Sequence, residues 1–370
     1  MKDNNLKATM EKIPGWMYIG LMGIILVILK LPHLNIPYYW DEAYPFSHAV
    51  SAMYENGPRL LPDAIDTELS KGHPLLFYFL AALWMKVFGT SLIAVKSFPM
   101  LLSVALLFAV YGTGKKLVSK SVGIIAALFV AVMSVFYVQS SFLVLEVQMT
   151  LLTIGAFYFW LKDKHLLYII SGSMLLLTKE SGLVAIASVG LLSLIDFFGK
   201  SSKQEMGMAK RILRIVYAGL PILIASIYFI IQKMMHGWFL SPVHVGFMSF
   251  SKAVILDKLN GIIQYFFIGE GRAYLLLSLA VSVIALYVIK KQALKPMEKR
   301  IVLLFSIFIV GFIIFSSLNF LSSRYLLCMM PPFAILTSMF IYRAFENKKV
   351  LFAIAVIIPV VAMTHSTYKK

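Results

Sequence analysis

Two neighbouring carboxylates, Asp41 and Glu42, are the first residues whose surroundings suggest chemistry. They lie within residues 38–44, which also hold four aromatic rings, and they directly follow a membrane-length apolar run. An ionised carboxylate close to hydrocarbon is costly unless it has a partner or a function, and aromatic rings favour the membrane–water interface. Two interpretations are open: a catalytic acid at a membrane boundary, or an aromatic belt with two solvated acids.

Further ionisable residues lie beside or within apolar runs. Glu146 stands in such a run, so it is either a functional acid or the partner of a lysine. His73 precedes Pro74 at the start of another run, where its ring can contact a phosphate, ligate a metal or only cap the helix. Lys71 beside it is either solvated or within reach of a phosphate. The histidines that show no partner pattern are interpreted as interfacial or loop residues: His48, His236 and His244.

Three cationic residues are candidates for binding a phosphate. Arg324 is the best of them, because a guanidinium matches phosphate oxygens bidentately. Lys179 is a second candidate, with pairing to its neighbour Glu180 as the alternative. Arg272 is a third, and a local ion pair with Glu270 is its alternative.

The composition identifies the class of protein that must position these residues. The chain has 370 residues, 60% hydrophobic and 14% charged, with a mean hydropathy of +0.85. A soluble domain carries about 25% charged residues, so this is a polytopic integral membrane protein. The single cysteine, Cys328, excludes an internal disulfide or a cysteine-based metal site. The net charge of +17 falls largely in short loops, as expected of orientation signals rather than of nucleic-acid binding.

The apolar run at residues 74–88 is short for a membrane span. If it does not cross, the remaining apolar runs predict eleven membrane spans. The spans fall near residues 16–34, 92–111, 122–139, 146–161, 165–178, 182–198, 215–232, 271–289, 301–318, 326–342 and 350–365. With this arrangement the cytoplasmic segments hold 21 Lys and Arg residues and the outer segments 11. Cytoplasmic loops should be the richer in Lys and Arg. We therefore predict a cytoplasmic N-terminus and place the ionisable residues introduced above on the outer face.

Two outer loops complete the predicted architecture. Residues 35–91 form the first, with one interfacial helix around residues 46–55 and a second at 74–88. Residues 233–270 form the later one and include a further surface helix near 249–265. No internal repeat and no soluble C-terminal domain is evident, so residues 1–370 are predicted to form a single all-α transmembrane domain.

The order of these features resembles the GT-C superfamily of membrane glycosyltransferases, especially protein O-mannosyltransferases and aminoarabinose transferases. His73-Pro74-Leu75 and the run after it resemble the family's His-Pro-Pro-Leu-Tyr-Tyr segment. Residues 175–180, Leu-Leu-Leu-Thr-Lys-Glu, resemble its Leu-Thr-Lys segment, and residues 324–327, Arg-Tyr-Leu-Leu, resemble a late segment of the same sequence. The chain departs from the pattern at Leu75, which replaces a proline, and before Glu146, where the family's arginines are missing.

The resemblance implies a GT-C fold and an activity. A sugar on a polyprenyl phosphate would be transferred, with inversion, to a hydroxyl of a protein, lipid or glycan on the outer face of the cytoplasmic membrane. A hydroxyl needs a base within hydrogen-bond reach, and the resemblance assigns that role to Asp41. Glu42 would orient Asp41 or bind the acceptor, and Glu146 is the second candidate catalytic acid. Substrate binding falls to His73, Lys71, Lys179, Arg272, Arg324 and Tyr325.

Metal dependence stays open at this stage. A divalent cation, Mg²⁺ or Mn²⁺, has Asp41, His73 and Glu146 as candidate ligands. Two other functions compete with transfer. A flippase for a lipid-linked sugar would need an inverted repeat and polar residues near mid-membrane. A non-catalytic subunit of an envelope-polysaccharide machine would keep the fold without the chemistry.

Overall fold

The computed structural model describes residues 13–199 and 207–368, and every regular element in those ranges is a helix. The α-helices are α1 (Gly15–Lys30), α2 (Phe46–Glu55), α3 (Thr67–Ser70), α4 (Leu76–Phe88), α5 (Leu92–Leu117), α6 (Lys120–Ala131), α7 (Ser134–Gln139), α8 (Glu146–Leu161), α9 (His165–Thr178), α10 (Leu183–Phe198), α11 (Met208–His236), α12 (Pro242–Gly246), α13 (Lys252–Ile262), α14 (Arg272–Ile284), α15 (Pro296–Leu318), α16 (Met330–Phe345) and α17 (Lys349–Tyr368). The 3-10 turns are Leu31–His33, Trp40–Glu42, Glu180–Gly182 and Ser323–Met329, and π-helical turns extend α13 and α14 over Ile263–Ile268 and Ala285–Ile289.

Eight helical segments in the described ranges are long and apolar enough to cross a membrane. They are Gly15–His33, Leu92–Leu117, Glu180–Phe198, Met208–His236, Arg272–Ile289, Pro296–Leu318, Ser323–Phe345 and Lys349–Thr367. The prediction of eleven spans is therefore not confirmed. The three remaining predicted ranges do contain helices, but α8 has 16 residues, α9 has 14, and 122–139 is divided into α6 and α7. A helix of 14 residues is about 21 Å long, short of the roughly 30 Å hydrocarbon core.

The helix α16 and the turn before it form the centre of the bundle. In the most apolar stretch of Ser323–Phe345, 89% of the residues are buried inside the protein, against 11% for Lys349–Thr367 at the periphery. α16 packs against α6 and α14, and α5 packs against α6 and α8. The turn Ser323–Met329 contacts α8, so the N-terminal end of α16 is held beside the start of α8.

Residues 35–91, the predicted first outer loop, have their own apolar core. α2 buries Phe46, Val50 and Met53 against α4, which buries Phe77 and Tyr78. The structure confirms helices at both predicted places in this loop. α4 has 13 residues and is about 20 Å long, which is too short to cross a bilayer. Its location at the membrane surface stays a prediction, as does that of α13 in the later loop.

A glycine pair sets the distance between α5 and α6. A Cβ added to Gly114 would lie 2.7 Å from the Cα of Gly123, whereas a Cβ added to Gly112, two residues earlier in α5, would meet nothing within 4 Å. The backbones of α5 and α6 can approach this closely only because both residues lack side chains.

We expect Gly114→Ala to destabilise the protein by about 1–3 kcal/mol, because backbone rather than a flexible side chain must move to admit the methyl group. Gly112→Ala is the matched control in the same helix, and it should be neutral or stabilising by up to about 1 kcal/mol. Apparent melting temperatures in lipid nanodiscs would compare the two variants. Equal melting temperatures would contradict the close packing of α5 on α6.

Candidate active site

Arg324 joins two carboxylates that are far apart in the sequence. Its Nη1 lies 2.5 Å from Oδ2 of Asp41, and its Nε lies 3.5 Å from Oε1 of Glu146. Arg324 belongs to the turn before α16, Asp41 to the turn Trp40–Glu42, and Glu146 is the first residue of α8. Three separate segments therefore meet at one guanidinium.

Lys179 adds a second cation to this cluster. Its Nζ lies 3.0 Å from Oε1 of Glu146 and 3.8 Å from the centre of the Tyr325 ring. Burial lowers the pKa of Lys179, but the nearby Glu146, Tyr325 and Glu180 together outweigh burial and leave that pKa above its ordinary value. Lys179 is thus a buried ammonium paired with Glu146, and not with Glu180, the alternative that the sequence left open.

Aromatic rings and a backbone contact hold the guanidinium in place. The Arg324 guanidinium lies 5.7 Å from the Phe46 ring and 5.0 Å from the Tyr325 ring, and its Nη2 donates to the Tyr325 hydroxyl at 3.3 Å. The Gln139 amide donates to the Arg324 carbonyl at 3.2 Å. Asp41 is the most accessible charged group here, with 37% of its side chain exposed, against 2% for Glu146.

Glu42 points away from this cluster, into the protein. Its Oε1 accepts the Leu143 N–H at 3.0 Å, and its Oε2 lies 3.3 Å from Nζ of Lys96. Lys96 also donates to the Ile36 carbonyl at 2.8 Å. Burial raises the pKa of Glu42, and the Leu143 N–H and Lys96 oppose that shift. Glu42 therefore ties the Asp41 turn to the loop before α8, a geometry that suits the orienting role rather than contact with an acceptor.

His73 belongs to a second cluster, centred on Glu180. The Nδ1 of His73 lies 2.9 Å from Glu180 Oε2, the Nδ1 of His244 lies 3.1 Å from Oε1, and the two rings are 4.5 Å apart between centroids. The sequence showed no partner pattern for His244 and placed it among the interfacial or loop histidines; in the structure the chain from α11 to α12 brings it onto Glu180. Within the described residues, this is the only group of three His, Cys, Asp or Glu residues that could hold a metal ion.

Two predicted substrate-binding residues lie outside both clusters. Arg272 pairs with Glu270 at 2.8 Å and donates to the carbonyls of Phe266 and Tyr265, which corresponds to the local ion pair given as its alternative. Lys71 has its Nζ 5.3 Å from the Tyr44 ring and no contact with Asp41 or Glu146.

An apolar groove runs from the second cluster along α10, α11 and α15. It has a volume of about 750 Å³, and Glu180 and Ser181 line the end beside His73 and His244. The rest of the lining is almost entirely apolar and includes Leu191, Phe229 and Ile314. The groove can accommodate a hydrocarbon chain whose polar end lies near Glu180.

Three solved structures share this fold. ArnT from Cupriavidus metallidurans bound to undecaprenyl phosphate is 15% identical with a TM-score of 0.64, and the match covers 93% of this chain and 63% of that one. The apo form of ArnT from Cupriavidus metallidurans is 14% identical with a TM-score of 0.62, and the match covers 90% of this chain and 61% of that one. The Archaeoglobus fulgidus oligosaccharyltransferase in complex with Zn and sulfate is 14% identical with a TM-score of 0.57, and the match covers 95% of this chain and 53% of that one. The chain thus has the GT-C fold of membrane glycosyltransferases and spans less than two thirds of each relative's length.

A comparison with models of protein families matches one part of this chain. Residues 72–206 match the family model described as dolichyl-phosphate-mannose-protein mannosyltransferase. This segment contains His73, Glu146, Lys179 and Glu180. The resemblance to protein O-mannosyltransferases that the motifs indicated is confirmed. No curated protein sequence matches the chain.

Sequence reasoning missed Lys96 as the partner of Glu42, and in the second cluster it missed Glu180 as a partner of His73 and it missed His244. Lys96 did carry a signal, since it is a lone lysine within the apolar run of α5. His244 carried none, because its partners are distant in the sequence.

We expect Lys179→Met to destabilise the protein by about 3–5 kcal/mol, because it removes one partner of a buried ion pair. Adding Glu146→Gln in the same chain should restore part of the loss. Arg59→Met is the control, since Arg59 and Asp63 form an exposed pair whose loss should cost at most about 1 kcal/mol. Thermal unfolding in nanodiscs measures all three. Equal losses in Lys179→Met and Arg59→Met would contradict the buried pair.

Proposed function

We propose that the protein is a membrane glycosyltransferase that moves a sugar from a polyprenyl-phosphate carrier to an acceptor hydroxyl, with inversion. The contact between Asp41 and Arg324 is the observation that carries the proposal. It places an accessible carboxylate beside a cation of the type that binds phosphate. The GT-C fold and the family match over residues 72–206 support the same activity.

The chemistry follows from these two groups. The acceptor oxygen attacks the anomeric carbon while Asp41 takes the hydroxyl proton. The bond between the anomeric carbon and the phosphate oxygen breaks, and its electron pair leaves with the phosphate. Arg324 and Lys179 stabilise the negative charge that develops there. Glu146 keeps both cations in position.

Arg324 gives the reaction an order. Its Nη1 contacts Oδ2 of Asp41, which engages the base. A donor phosphate competes for the guanidinium and releases the carboxylate. The donor therefore binds first, and the base becomes available only when there is a sugar to transfer.

The apolar groove is the proposed site of the polyprenyl chain. Its length along α10, α11 and α15 suits a hydrocarbon tail, and its Glu180 end meets the cluster of polar residues. Among the solved structures of this fold is one with undecaprenyl phosphate bound, which favours a lipid-linked donor.

The second cluster fits a zinc-type ion better than Mg²⁺ or Mn²⁺. Two imidazoles and one carboxylate match the ligands that Zn²⁺ prefers, whereas Mg²⁺ and Mn²⁺ favour oxygen donors. The Nδ1 atoms of His73 and His244 lie 2.9 Å and 3.1 Å from the two Glu180 oxygens, and the ligand atoms of the three residues lie within 4.8 Å of one another, close enough to share one ion. Burial lowers the pKa of His73, although Glu180 opposes this shift. A cation held by His73, Glu180 and His244 would supply positive charge for an anionic substrate group.

The active site is proposed to lie on the outer face of the cytoplasmic membrane, with a cytoplasmic N-terminus. Asp163, Arg214 and Arg300, from three predicted cytoplasmic segments, meet in one ionic cluster with Asp196, near the end of the predicted span 182–198. Arg214 contacts Asp163 and Asp196, and Arg300 contacts Asp196. Asp41, Glu146, Lys179 and Arg324 meet in another. This separation supports the predicted alternation, and the Lys and Arg distribution supports its direction.

Asp41→Asn should lower transfer by about 10²–10⁴-fold, because the amide cannot accept the hydroxyl proton. The melting temperature should change little, since the Asp41 side chain is partly exposed. The measurement is release of polyprenyl phosphate from a defined polyprenyl-phosphate sugar in proteoliposomes, with Asp63→Asn as the control for an exposed loop acid. Full activity of Asp41→Asn would refute its role as base. Movement of labelled donor across the bilayer without transfer would instead establish a flippase.

We expect ZnCl₂ to raise the melting temperature of EDTA-treated protein, because a ligand that binds only the folded state stabilises it, by about 2.7 kcal/mol at 100 times the dissociation constant. His244→Ala should abolish this shift. His236→Ala is the control, since His236, the last residue of α11, is eight positions from His244 but contacts the Pro62 carbonyl. The same zinc shift in all three proteins would place the ion elsewhere.

A further inference from the structure

A small pocket lies beside the Asp41 turn, on a face of α2 that the mechanism does not use. Its volume is about 290 Å³, and it is bounded by α2, the C-terminal end of α4 and the start of α5. This volume is at the lower end of the range of about 300–1,000 Å³ for small-molecule sites. The pocket therefore suits one small unit of a ligand rather than a lipid chain.

The pocket presents polar groups that the protein leaves available. Five lining side chains have no hydrogen-bond or ion-pair partner within the described part of the chain: Tyr38, Ser51, Tyr54, Glu55 and Thr90. The sixth polar lining residue, Ser47, is tied to the Ala43 carbonyl at 2.8 Å. The hydroxyls of Ser51 and Tyr54 on α2, and the hydroxyl of Thr90 between α4 and α5, would otherwise have only water as a partner.

The charge of the lining excludes a phosphate. Glu55 carries the only charge among the lining residues, and it is negative. Lys86 is outside the lining, and its Nζ packs 4.0 Å from the centre of the Tyr54 ring, which helps to fix that ring. Aromatic faces, hydroxyls and a carboxylate together provide flat apolar contact and both donors and acceptors. A neutral polyhydroxylated group, such as a sugar unit, uses all of these at once.

The position of the pocket connects it to the acceptor rather than to the donor. Leu143 forms part of its wall, and the Leu143 N–H is bound by Glu42, the neighbour of Asp41. From Ser47, close to the Asp41 turn, the lining extends along α2 to Glu55, eight residues or about 12 Å away. A molecule in the pocket therefore lies beside α2, with one end near the Asp41 turn. It does not lie in the apolar groove that Glu180 lines.

We propose that this pocket binds a sugar unit of a neutral oligosaccharide acceptor, one or more units away from the hydroxyl that Asp41 deprotonates. The assignment rests on the proposed glycosyl transfer and names its acceptor class as a glycan. The carboxylate of Glu55 and the hydroxyls of Ser51 and Thr90 bind sugar hydroxyls, and the rings of Tyr38 and Tyr54 cover the sugar's apolar face.

Ligand-observed saturation-transfer NMR on the full chain in nanodiscs tests binding directly, without a maltoside detergent that would itself occupy a sugar site. The probes are neutral trisaccharides of glucose, mannose, galactose and N-acetylglucosamine, with a Ser/Thr peptide as the rival class. We expect at least one trisaccharide to bind. Glu55→Gln should weaken it by about tenfold or more, as for loss of a hydrogen bond to a charged group, and Ser51→Leu should abolish binding by filling the pocket. Glu68→Gln, an exposed acid of the same loop outside the pocket, is the control and should bind normally.

Three results would overturn the proposal: no trisaccharide binds, Ser51→Leu leaves binding intact, or only the peptide binds and Ser51→Leu abolishes its binding. A transfer assay distinguishes an error in the pocket assignment from an error in the proposed glycosyltransferase function. With the bound sugar as acceptor, transfer efficiency should rise from the monosaccharide to the trisaccharide in the wild type and stay flat in Ser51→Leu. Efficient transfer with the same length dependence in both proteins would refute the pocket alone. Trisaccharide binding that Ser51→Leu abolishes, without transfer from any polyprenyl-phosphate sugar, would support the pocket and refute the transferase.

Discussion

The site depends on one guanidinium shared by two carboxylates. Moving an ion from water into a protein interior costs several kcal/mol, and the cost is recovered only with close partners. Glu146 is almost fully buried, so it requires the cations of Lys179 and Arg324 beside it. Arg324 in turn reaches Asp41, which is more exposed. This network fixes the Asp41 turn, the start of α8 and the turn before α16 relative to one another, and it leaves one accessible acid in front of a cation.

The same electrostatic constraint gives Glu42, Glu180 and Asp41 different surroundings. Glu42 is buried against Lys96 and the Leu143 N–H, and it holds the loop that carries Asp41. Glu180 faces two imidazoles at the end of an apolar groove. The Asp41 side chain stays 37% exposed. Each acid therefore has a different partner, and the partner determines whether the acid is fixed inside the protein, faces two imidazoles or stays partly exposed.

Much of the architecture could be predicted from the sequence. Apolar runs located helices in every predicted span, and the short run before α5 was correctly predicted to be a helix of less than membrane length. The count of eleven spans was not confirmed, because α8 and α9 are short and 122–139 is broken between α6 and α7. Hydropathy cannot distinguish a short helix buried among others from one that crosses the bilayer, since both are apolar along their whole length.

By itself, the sequence determined that this is a polytopic helical protein and that Asp41, His73, Glu146, Lys179 and Arg324 are polar residues in unusual surroundings, while the resemblance to the GT-C type rested on its motifs. Composition and local order carry that information, because lipid selects apolar residues and penalises isolated charges. Only the tertiary structure decided which of these groups meet. His73 is 107 positions from Glu180, and neighbours in the chain, such as Lys179 and Glu180, turn to different partners. Ion pairing depends on distances of a few ångströms, and helix packing, rather than sequence separation, sets those distances.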